Sequence, residues 1–174
     1  MTDRTIPHWY VMRTVANYER KMKLWVEARG VEAYLPVRSE MHKWSDRMKR
    51  VEVVLTPSLL FVRLALKDRE LLWGEPHLRG MMHAPGESVP APISDERMAE
   101  FMEVVEREAA FSLVPTPIHK GDIVQVLAGP LEGFEGECLR IDGVNSIVIR
   151  LNPLLSAAVT IPRSYVKKIK STEK

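Results

Sequence analysis

The sequence has one cysteine, and its histidines are not clustered. Cys138 is the only thiol among 174 residues, so one chain cannot build a disulfide framework or a multi-thiolate metal site. No two histidines are spaced as i,i+3 or i,i+4, the spacing of a helical pair of metal ligands. The histidines are His8, His42, His77, His83 and His119. We predict a reducing compartment, no metal site and no cofactor.

Long apolar runs are absent as well. No segment approaches the ~18 consecutive apolar residues that a membrane-spanning helix requires. The residues before Trp9, M-T-D-R-T-I-P-H, lack the apolar core of a secretory signal. We therefore expect a cytoplasmic protein without a membrane partner.

Signatures of catalysis are also missing. Neither the phosphate-binding G-x-x-x-x-G-K-[ST] nor the nucleophile motif G-x-S-x-G occurs in the chain. Cys138 has no electropositive context of the kind that activates a thiolate. We predict that the protein is not an enzyme.

The apolar content and the charge distribution indicate a globular chain with a polar field. Apolar residues make up 45% of the sequence, enough for a real core in one or two domains. Residues 1–50 carry 11 Lys/Arg against 6 Asp/Glu, a balance of +5, whereas residues 51–114 carry 6 against 11, a balance of −5. The basic first third could face phosphates, although ordinary solvated surfaces also show such asymmetry.

The first part of the chain is predicted to be an α/β sandwich. A strand at Trp9–Thr14 precedes a helix that is capped by Asn17 at its start and followed by Gly30 at the C′ position. The polar, basic block 37–50 is predicted to be an exposed hairpin or loop. Further strands are predicted at Val31–Pro36, Val51–Leu55, Ser58–Leu64 and Met81–His83. A short helix at Asp68–Trp73 and a helix after Ser94 complete a four-stranded sheet with three helices, an α+β arrangement.

The helix after Ser94 has an apolar stripe, predicted to be core packing, formed by Met98, Phe101, Met102 and Val105. Beyond it, residues 110–118 lose periodicity and gain prolines, which indicates a linker. The expected domains are therefore 1–109 and 119–170. The second is predicted to be a five-stranded SH3-like barrel. Its strands are expected near Ile123–Leu127, Gly136–Ile141, Ile147–Leu151, Ala158–Pro162 and Val166–Ile169.

The stretch K-G-D-I-V-Q-V-L-A-G-P-L-E-G-F-E-G, residues 120–136, joins an alternating strand to a glycine-spaced turn. At this spacing a side chain is expected to collide with neighbouring backbone in a tight bend. The turn glycines are Gly121, Gly129, Gly133 and Gly136. The stretch resembles the KOW motif of ribosomal proteins and of NusG-family transcription elongation factors, although any small barrel with a glycine-rich hairpin would share it.

The order of parts extends this resemblance to nearly the whole chain. A first domain opening with W-Y-V, a proline-bearing linker and a KOW barrel are together similar to the NusG family. The run Trp44–Val62 is similar to UpxY-type paralogues, which antiterminate capsular polysaccharide operons in Bacteroides-like bacteria. Where the family has P-G-Y-x-F-V, this chain has P-S-L-L-F-V from Pro57 to Val62.

The resemblance implies a contact with the clamp helices of the RNA polymerase largest subunit. The matching positions are Pro57, Leu59 and Phe61, with Met12 on the first strand as a neighbouring candidate. Leu59 and Phe61 share one face of their strand, so they could dock together. The alternative is that this pair faces the domain core and that Leu60 and Val62 face outward.

The resemblance also implies a contact with non-template DNA or nascent RNA. Arg79 matches a basic position that touches the exposed non-template strand in the RfaH paralogue. Lys21 and Arg29 share a broad polar face of the first helix. Trp44 is available to stack on a base, and the cations of the hairpin could bind phosphates. These cations are Lys43, Arg47, Lys49 and Arg50. The alternative is that all of these charges form a solvated surface.

For the barrel, the family implies binding to a small-subunit ribosomal protein or to the Rho termination factor. The matching loop is Pro153, Leu154 and Leu155, whose leucines could be an exposed anchor or could cap the barrel. Glycines and prolines make helix costly here, so a constitutive barrel is expected rather than the helical hairpin of RfaH. The leading hypothesis is a specialised elongation and antitermination factor. The rival hypothesis is an RNA-binding or ribosome-associated KOW module without polymerase contact.

Overall fold

The computed structural model describes residues 4–107, 111–115, 121–141 and 144–170. It divides into two compact units, Met1–Asp95 and Glu96–Lys174. Across the described ranges, no helix is both long enough and apolar enough to cross a membrane.

The first unit contains a four-stranded antiparallel sheet and a separate hairpin. Its strands are β1 His8–Thr14, β2 Glu32–Tyr34, β3 Val37–Lys43, β4 Met48–Val54, β5 Leu59–Leu64 and β6 Leu78–Met81. The sheet order is β2-β5-β1-β6, and β3 pairs only with β4. Helix α1 spans Glu19–Glu27, and a 3-10 helix spans Leu66–Leu72. The predicted four-stranded sheet and the exposed basic hairpin are confirmed.

The two central strands of this sheet are buried on both faces. Their register places Tyr10 opposite Val62 and Met12 opposite Leu60. These four side chains belong to one core cluster with the α1 residues Met22 and Val26. Val11 and Phe61 are also opposite each other, and both are buried although they point to the other face. A central strand covered on both sides reads as a nearly continuous apolar run, as the sequence L-L-F-V does.

The N-cap of helix α1 lies one residue later than predicted. Tyr18 occupies the N-cap position without a side-chain cap, so the prediction that Asn17 is the cap is wrong. Asn17 instead has φ of 67°, a left-handed conformation that asparagine tolerates better than most residues, and it turns the chain into the helix. In place of a cap at Asn17, the buried carboxylate of Glu19 accepts a hydrogen bond from the Ser58 amide at 2.7 Å. The start of α1 is thereby joined to the start of β5.

The second unit contains α2, Asp95–Glu106, and a six-stranded antiparallel sheet. Its strands are β7 Phe111–Pro115, β8 Asp122–Val126, β9 Glu135–Ile141, β10 Val144–Arg150, β11 Leu155–Thr160 and β12 Val166–Lys170. A short 3-10 turn, Arg163–Tyr165, precedes β12. The order is β12-β8-β9-β10-β11-β7, so β12 and β7 are the two edges. The five predicted strands are present, but the described residues do not form the predicted closed barrel.

The structure differs from the predicted linker at 110–118. Residues 111–115 form β7, which pairs with β11 from Phe111 opposite Val159 to Pro115 opposite Leu155. Prolines marked this segment as irregular, yet Pro115 stands at the end of an edge strand, where a missing N–H is tolerated. The compact units divide after Asp95, the first residue of α2. The domain bounds 1–109 and 119–170 therefore stay a prediction.

In α2, the buried side chains are Met98, Phe101 and Val104. The Phe101 ring meets Phe111 of β7 edge-to-face, with centroids 5.1 Å apart. The predicted stripe is thus right for its first two members, whereas Met102 and Val105 are half-buried and Val104 is the residue that completes it.

The predicted collision with neighbouring backbone is not what the glycine-spaced turn shows, because the space at Gly133 is open and the atoms near Gly136 belong to side chains. Gly129 and Gly133 have φ of 90° and 82°, which favours glycine. Gly136 is required for a different reason, because a Cβ there would lie 2.9 Å from Cγ2 of the buried Ile147. The Gly121 amide donates to the Glu137 carboxylate at 2.6 Å. The turn therefore depends on backbone freedom at two glycines and on close packing at a third.

Tyr10→Phe tests whether the buried Tyr10 hydroxyl, which lacks a hydrogen bond, lowers the stability of the first unit. The Tyr10 hydroxyl is fully buried, has no hydrogen-bond partner among the described residues, and has a pKa raised by burial. Removing an unsatisfied buried hydroxyl should leave the free energy of unfolding unchanged or raise it by about 1–3 kcal/mol. Chemical denaturation measures this, with the exposed Tyr165→Phe as the matched control. A loss of stability only in Tyr10→Phe would contradict the expectation.

Gly136→Ala tests the close packing against Ile147. The added methyl group should lower the free energy of unfolding by about 1–3 kcal/mol, the usual cost of overpacking a core. Urea denaturation of the single variants and of the double variant with Ile147→Ala completes a mutant cycle. Because Ile147→Ala removes the colliding methyl group, Gly136→Ala should cost less in that background. Equal costs in both backgrounds would show that the contact is unimportant.

Candidate nucleic-acid interface

The hairpin of β3 and β4 ends in a fully exposed segment, residues 41–50, called here the hairpin tip. The Trp44 amide donates to the Arg47 carbonyl at 2.8 Å and closes the turn. All five predicted nucleic-acid residues of the hairpin, Lys43, Trp44, Arg47, Lys49 and Arg50, lie in this tip. The structure therefore brings them together and keeps them in water.

One face of the hairpin tip mixes cations with apolar side chains. Met41 pairs directly with Arg50, and Lys43 pairs with Met48, so these four side chains share a face. Lys49 pairs with His42 and therefore lies on the opposite face, where its ammonium is 5.5 Å from the ring centroid of Trp44, which is 54% exposed. Cations beside an exposed aromatic ring provide phosphate contacts and a stacking surface in one place.

The base of the hairpin is attached to α1. Arg20 forms an ion pair with the Glu52 carboxylate and also donates to the Glu52 carbonyl at 2.8 Å. Both side chains are exposed, so the ion pair itself contributes little stability, about 0–1 kcal/mol. Its effect is to orient the hairpin relative to the helix.

The α1 residues Lys21 and Arg29 are both exposed, as predicted, but they have different surroundings. The Arg29 guanidinium lies 3.2 Å from the Trp25 ring centroid and donates to the Trp25 carbonyl at 3.0 Å. The Lys21 ammonium lies 5.7 Å from the Tyr18 ring. Arg29 is therefore held flat on an indole, whereas Lys21 is near the start of the helix.

Lys21 is connected to the segment before β6 by a chain of contacts. The Tyr18 ring stacks on His77 with centroids 3.8 Å apart, and Nδ1 of His77 lies 2.6 Å from the Glu75 carboxylate. The hydrogen bond from His77 lowers the pKa of Glu75, and the charge of Lys21 adds a smaller lowering. Glu75 is accordingly a carboxylate already occupied by a partner.

Arg79, the remaining predicted cation, is exposed in β6 and precedes Gly80, whose φ is 93°. It lines a cleft of about 390 Å³ together with Arg13, Arg69 and Trp73. Sequence reasoning missed these three residues. Arg13 is one exposed position in an otherwise buried strand, and no spacing in the sequence relates it to residues 69–79.

The predicted polymerase contacts are only partly accessible. Pro57 is exposed and Leu59 is half-buried at the start of β5. Phe61 is fully buried and Met12 is 3% exposed, so neither is a surface contact in this structure. The alternative register, with Leu60 and Val62 outward, is also wrong because both lie in the core cluster. The physical reason is that β5 is a central strand with both faces covered.

The predicted partner loop of the second unit is a fixed turn. The Asn152 side-chain oxygen accepts hydrogen bonds from the Leu154 and Leu155 amides, both at 2.9 Å. Pro153 is exposed and Leu154 is half-buried, but Leu155 begins β11 and is 8% exposed. Leu155 is thus a core residue, and only Pro153 and Leu154 remain available to a partner.

The single thiol is neither exposed nor activated. Cys138 is half-buried in β9, and burial raises the pKa of its thiol. Within the described ranges, no group of three or more His, Cys, Asp and Glu side chains is arranged to hold a metal ion.

Comparison with known proteins gives consistent matches. A family model described as "Transcription termination factor nusG" matches residues 7–102. The chain is 23% identical over 177 residues to the transcription termination/antitermination protein NusG of Streptococcus pyogenes, covering 95% of this chain and 97% of that protein. It is 30% identical over 99 residues to transcription elongation factor Spt5 of Pyrococcus furiosus, covering 56% of this chain and 60% of that one.

A solved structure of Thermotoga maritima NusG is also similar, with a TM-score of 0.49 and 21% identity, over 96% of this chain and 99% of that one. The family model alone spans more than half of the 174 residues, including the sheet, α1 and the hairpin. This protein therefore belongs to the NusG family and is a NusG/Spt5-like transcription elongation or termination factor.

Proposed function

We propose that this protein is a specialised elongation and antitermination factor. In this proposal it binds the clamp helices of the RNA polymerase largest subunit and suppresses pausing or termination in selected operons, with capsular and exopolysaccharide operons as targets. The observation that carries the proposal is the family match over residues 7–102. The resemblance of the run Trp44–Val62 to UpxY-type paralogues supports the specialised role. No catalytic role is proposed.

The polymerase contact is assigned to the start of β5. Pro57 is exposed and Leu59 is half-buried there, and Ser58 between them has φ of 63°. The Ser58 amide is held by the buried Glu19 carboxylate, so this turn is fixed before a partner arrives. A rigid turn with an apolar side chain loses little conformational entropy on docking. Phe61 and Met12 are assigned packing roles beside it.

The nucleic-acid contact is assigned to the hairpin tip. Its Lys and Arg side chains would neutralise phosphates of non-template DNA or nascent RNA, and Trp44 would stack on a base. The tip carries Lys43, Arg47, Lys49 and Arg50 against one acidic residue, Asp46. Such contacts are largely independent of base sequence, because phosphates carry no sequence information.

The second unit is proposed to be the KOW module. Five of its strands follow one another in the order β12-β8-β9-β10-β11, and the glycine turn lies between β8 and β9. Its partner would be a small-subunit ribosomal protein or the Rho termination factor, bound through Pro153 and Leu154. The Asn152 hydrogen bonds support this assignment because they pre-order the loop.

The rival proposal is an RNA-binding or ribosome-associated KOW module without polymerase contact. The observation that favours it is the burial of Phe61 and Met12, which reduces the apolar surface offered to a polymerase, while the basic hairpin tip stays exposed. RNA or ribosome binding of this kind would depend on the cations and would weaken steeply with salt.

Capture of bacterial core RNA polymerase separates the two proposals. The wild-type chain should retain polymerase, and Leu59→Asp should weaken capture at least about tenfold, because a charge at an interface anchor costs roughly 2 kcal/mol or more. Leu24→Asp is the matched control, since Leu24 is exposed on α1 and should keep wild-type binding. Circular dichroism confirms that both variants fold. If the wild-type chain captures no polymerase, the elongation-factor proposal fails and RNA or ribosome binding leads.

Strand binding tests the hairpin tip. Trp44→Ala should weaken binding of a short single strand by about 1–3 kcal/mol through lost stacking. Lys43→Ala and Arg50→Ala should each reduce the slope of log K against log salt by about 0.7, the contribution of one phosphate contact. Fluorescence anisotropy over a salt series measures both effects. Lys67→Ala removes an exposed cation elsewhere in the unit, and an equal effect from it would contradict a localised site.

A further inference from the structure

We propose that Met41 and Met48 of the hairpin tip are sites of reversible oxidation by hydrogen peroxide, and that their sulfoxides bind the Lys43 and Arg50 side chains and withhold them from phosphates. The inference rests on the proposed nucleic-acid contact of the hairpin tip and adds its regulation. Oxidation of the two thioethers can be measured without any nucleic acid, so the two proposals can fail separately.

Met41 and Met48 are the methionines most open to water in the described part of the chain. Each is 56% exposed. The other methionines of the described ranges are buried or half-buried, namely Met12, Met22, Met81, Met82, Met98 and Met102. A peroxide dissolved in water reaches an exposed sulfur much more often than a buried one, so oxidation should begin at the hairpin tip.

Each of these two methionines lies directly opposite a cation. Met41 is paired with Arg50 and Met48 with Lys43, across the two strands of the hairpin. Residues paired in this way have Cβ atoms about 4.5–5.5 Å apart, and their side chains project from the same face. The methionine side chain is unbranched and flexible, so its sulfur can approach the charged group of its partner.

The two cations are available to a new hydrogen-bond acceptor. Neither Lys43 nor Arg50 makes a side-chain hydrogen bond, an ion pair or a ring contact among the residues that the structure describes. A thioether sulfur is only a weak acceptor, so the reduced methionines leave the N–H groups of both cations free for phosphates. A sulfoxide is polar, and its oxygen accepts hydrogen bonds from cationic donors. Oxidation therefore places a competing acceptor beside each cation.

The oxidation step needs only peroxide and the thioether. A sulfur lone pair attacks one oxygen of hydrogen peroxide, and the S–O bond forms as the O–O bond breaks. The sulfur is oxidised and the peroxide is reduced, because the departing hydroxide takes the proton of the transferred oxygen and becomes water. A methionine sulfoxide reductase reverses the change with a dithiol, which becomes a disulfide while the oxygen leaves as water.

The opposite face of the hairpin provides an internal comparison. Lys49 pairs with His42 there, and its ammonium lies 5.5 Å from the Trp44 ring centroid. Alternate residues of a strand point to opposite faces, so the sulfoxides project away from Lys49. Oxidation should therefore remove phosphate contacts on the face that carries the two methionines and leave those beside Trp44.

The first experiment treats the full chain with hydrogen peroxide and follows each methionine by mass spectrometry of its peptides. Met41 and Met48 should be oxidised at least about tenfold faster than the buried methionines. In the oxidised chain, acetic anhydride should acylate the Lys43 amine more slowly, because a hydrogen bond to the sulfoxide stabilises the unreactive protonated form. Neither measurement requires nucleic acid.

The second experiment measures binding of a five-residue oligothymidylate by fluorescence anisotropy over a salt series, with the reduced and with the oxidised chain. Oxidation should reduce the slope of log K against log salt by about 1.4, which corresponds to two phosphate contacts at about 0.7 each. Incubation with a methionine sulfoxide reductase and a dithiol should restore the slope.

A leucine variant is the matched control. Met41→Leu combined with Met48→Leu keeps apolar side chains of similar size that cannot form sulfoxides. This variant should bind like the reduced wild-type chain both before and after peroxide. An effect that arises at Cys138 or Met1 would persist in it, so the control isolates the hairpin tip.

Substitutions of the cations assign the effect to one face. In Lys43→Ala combined with Arg50→Ala, the salt slope should no longer respond to peroxide. In Lys49→Ala the response should keep its full size, since Lys49 lies on the other face. All of these positions are exposed, so the variants should fold.

Preferential oxidation of Met41 and Met48, slower acylation of Lys43 and a salt slope that falls only where both cations are present support the proposal. It is overturned if the buried methionines react as fast, if the leucine variant remains sensitive to peroxide, or if oxidation leaves the acylation of Lys43 unchanged. An unchanged salt slope in a chain that binds the strand also overturns it. If the reduced chain binds no strand, the nucleic-acid contact fails, while peptide mapping and acylation still decide the oxidation.

Discussion

The first unit depends on the pairing of β1 with β5 at the centre of its sheet. Six successive residue pairs join these strands, from His8 opposite Leu64 to Arg13 opposite Leu59. Both faces of these strands are buried, so the pairing removes a large apolar area from water. The hydrophobic stabilisation of the unit scales with that area. The same pairing fixes what lies at its ends. Arg13 enters the cleft at one end of the register, and Leu59 takes its half-exposed place directly opposite.

The central strands β1 and β5 are held by apolar packing, so the outer elements can carry charged side chains. The hairpin takes part in neither larger sheet, and its tip contributes no residue to the core. At its base, Val37 and Val54 pack against the core cluster, and Arg20 and Glu52 join it to α1. A surface of this kind tolerates substitution, since exposed positions seldom change stability by more than about 0.5 kcal/mol. Binding properties can therefore vary there without cost to the fold.

Much of the fold was predictable because the patterns that indicate strands, helices and turns involve residues close together in sequence. The alternation of β8, the helical spacing of α1 and the positive φ of Gly129 and Gly133 each depend on neighbouring residues alone. Facts that depend on distant partners were not predictable. The apolar run of β5 is typical of a strand covered on both faces, but it does not show which elements cover Phe61. The prolines gave β7 the appearance of a linker because its partner β11 lies 40 to 48 residues away in sequence. The hairpin cations were found, whereas the cleft was missed because Arg13 and Trp73 line it from separate elements that no sequence spacing relates.

The edge strand β12 carries lysines, which disfavour the addition of another strand at a sheet edge. Its sequence is V-K-K-I-K, and Lys167 and Lys168 are exposed on it. An edge with unpaired backbone groups invites another strand to add to the sheet, and lysines oppose this by mutual repulsion. Lys168 is ion-paired with Asp122 at 2.7 Å, so a second copy approaching edge to edge would be repelled mainly through the Lys167 ammonium groups. Any such repulsion at this edge of the sheet weakens as salt screens the charges.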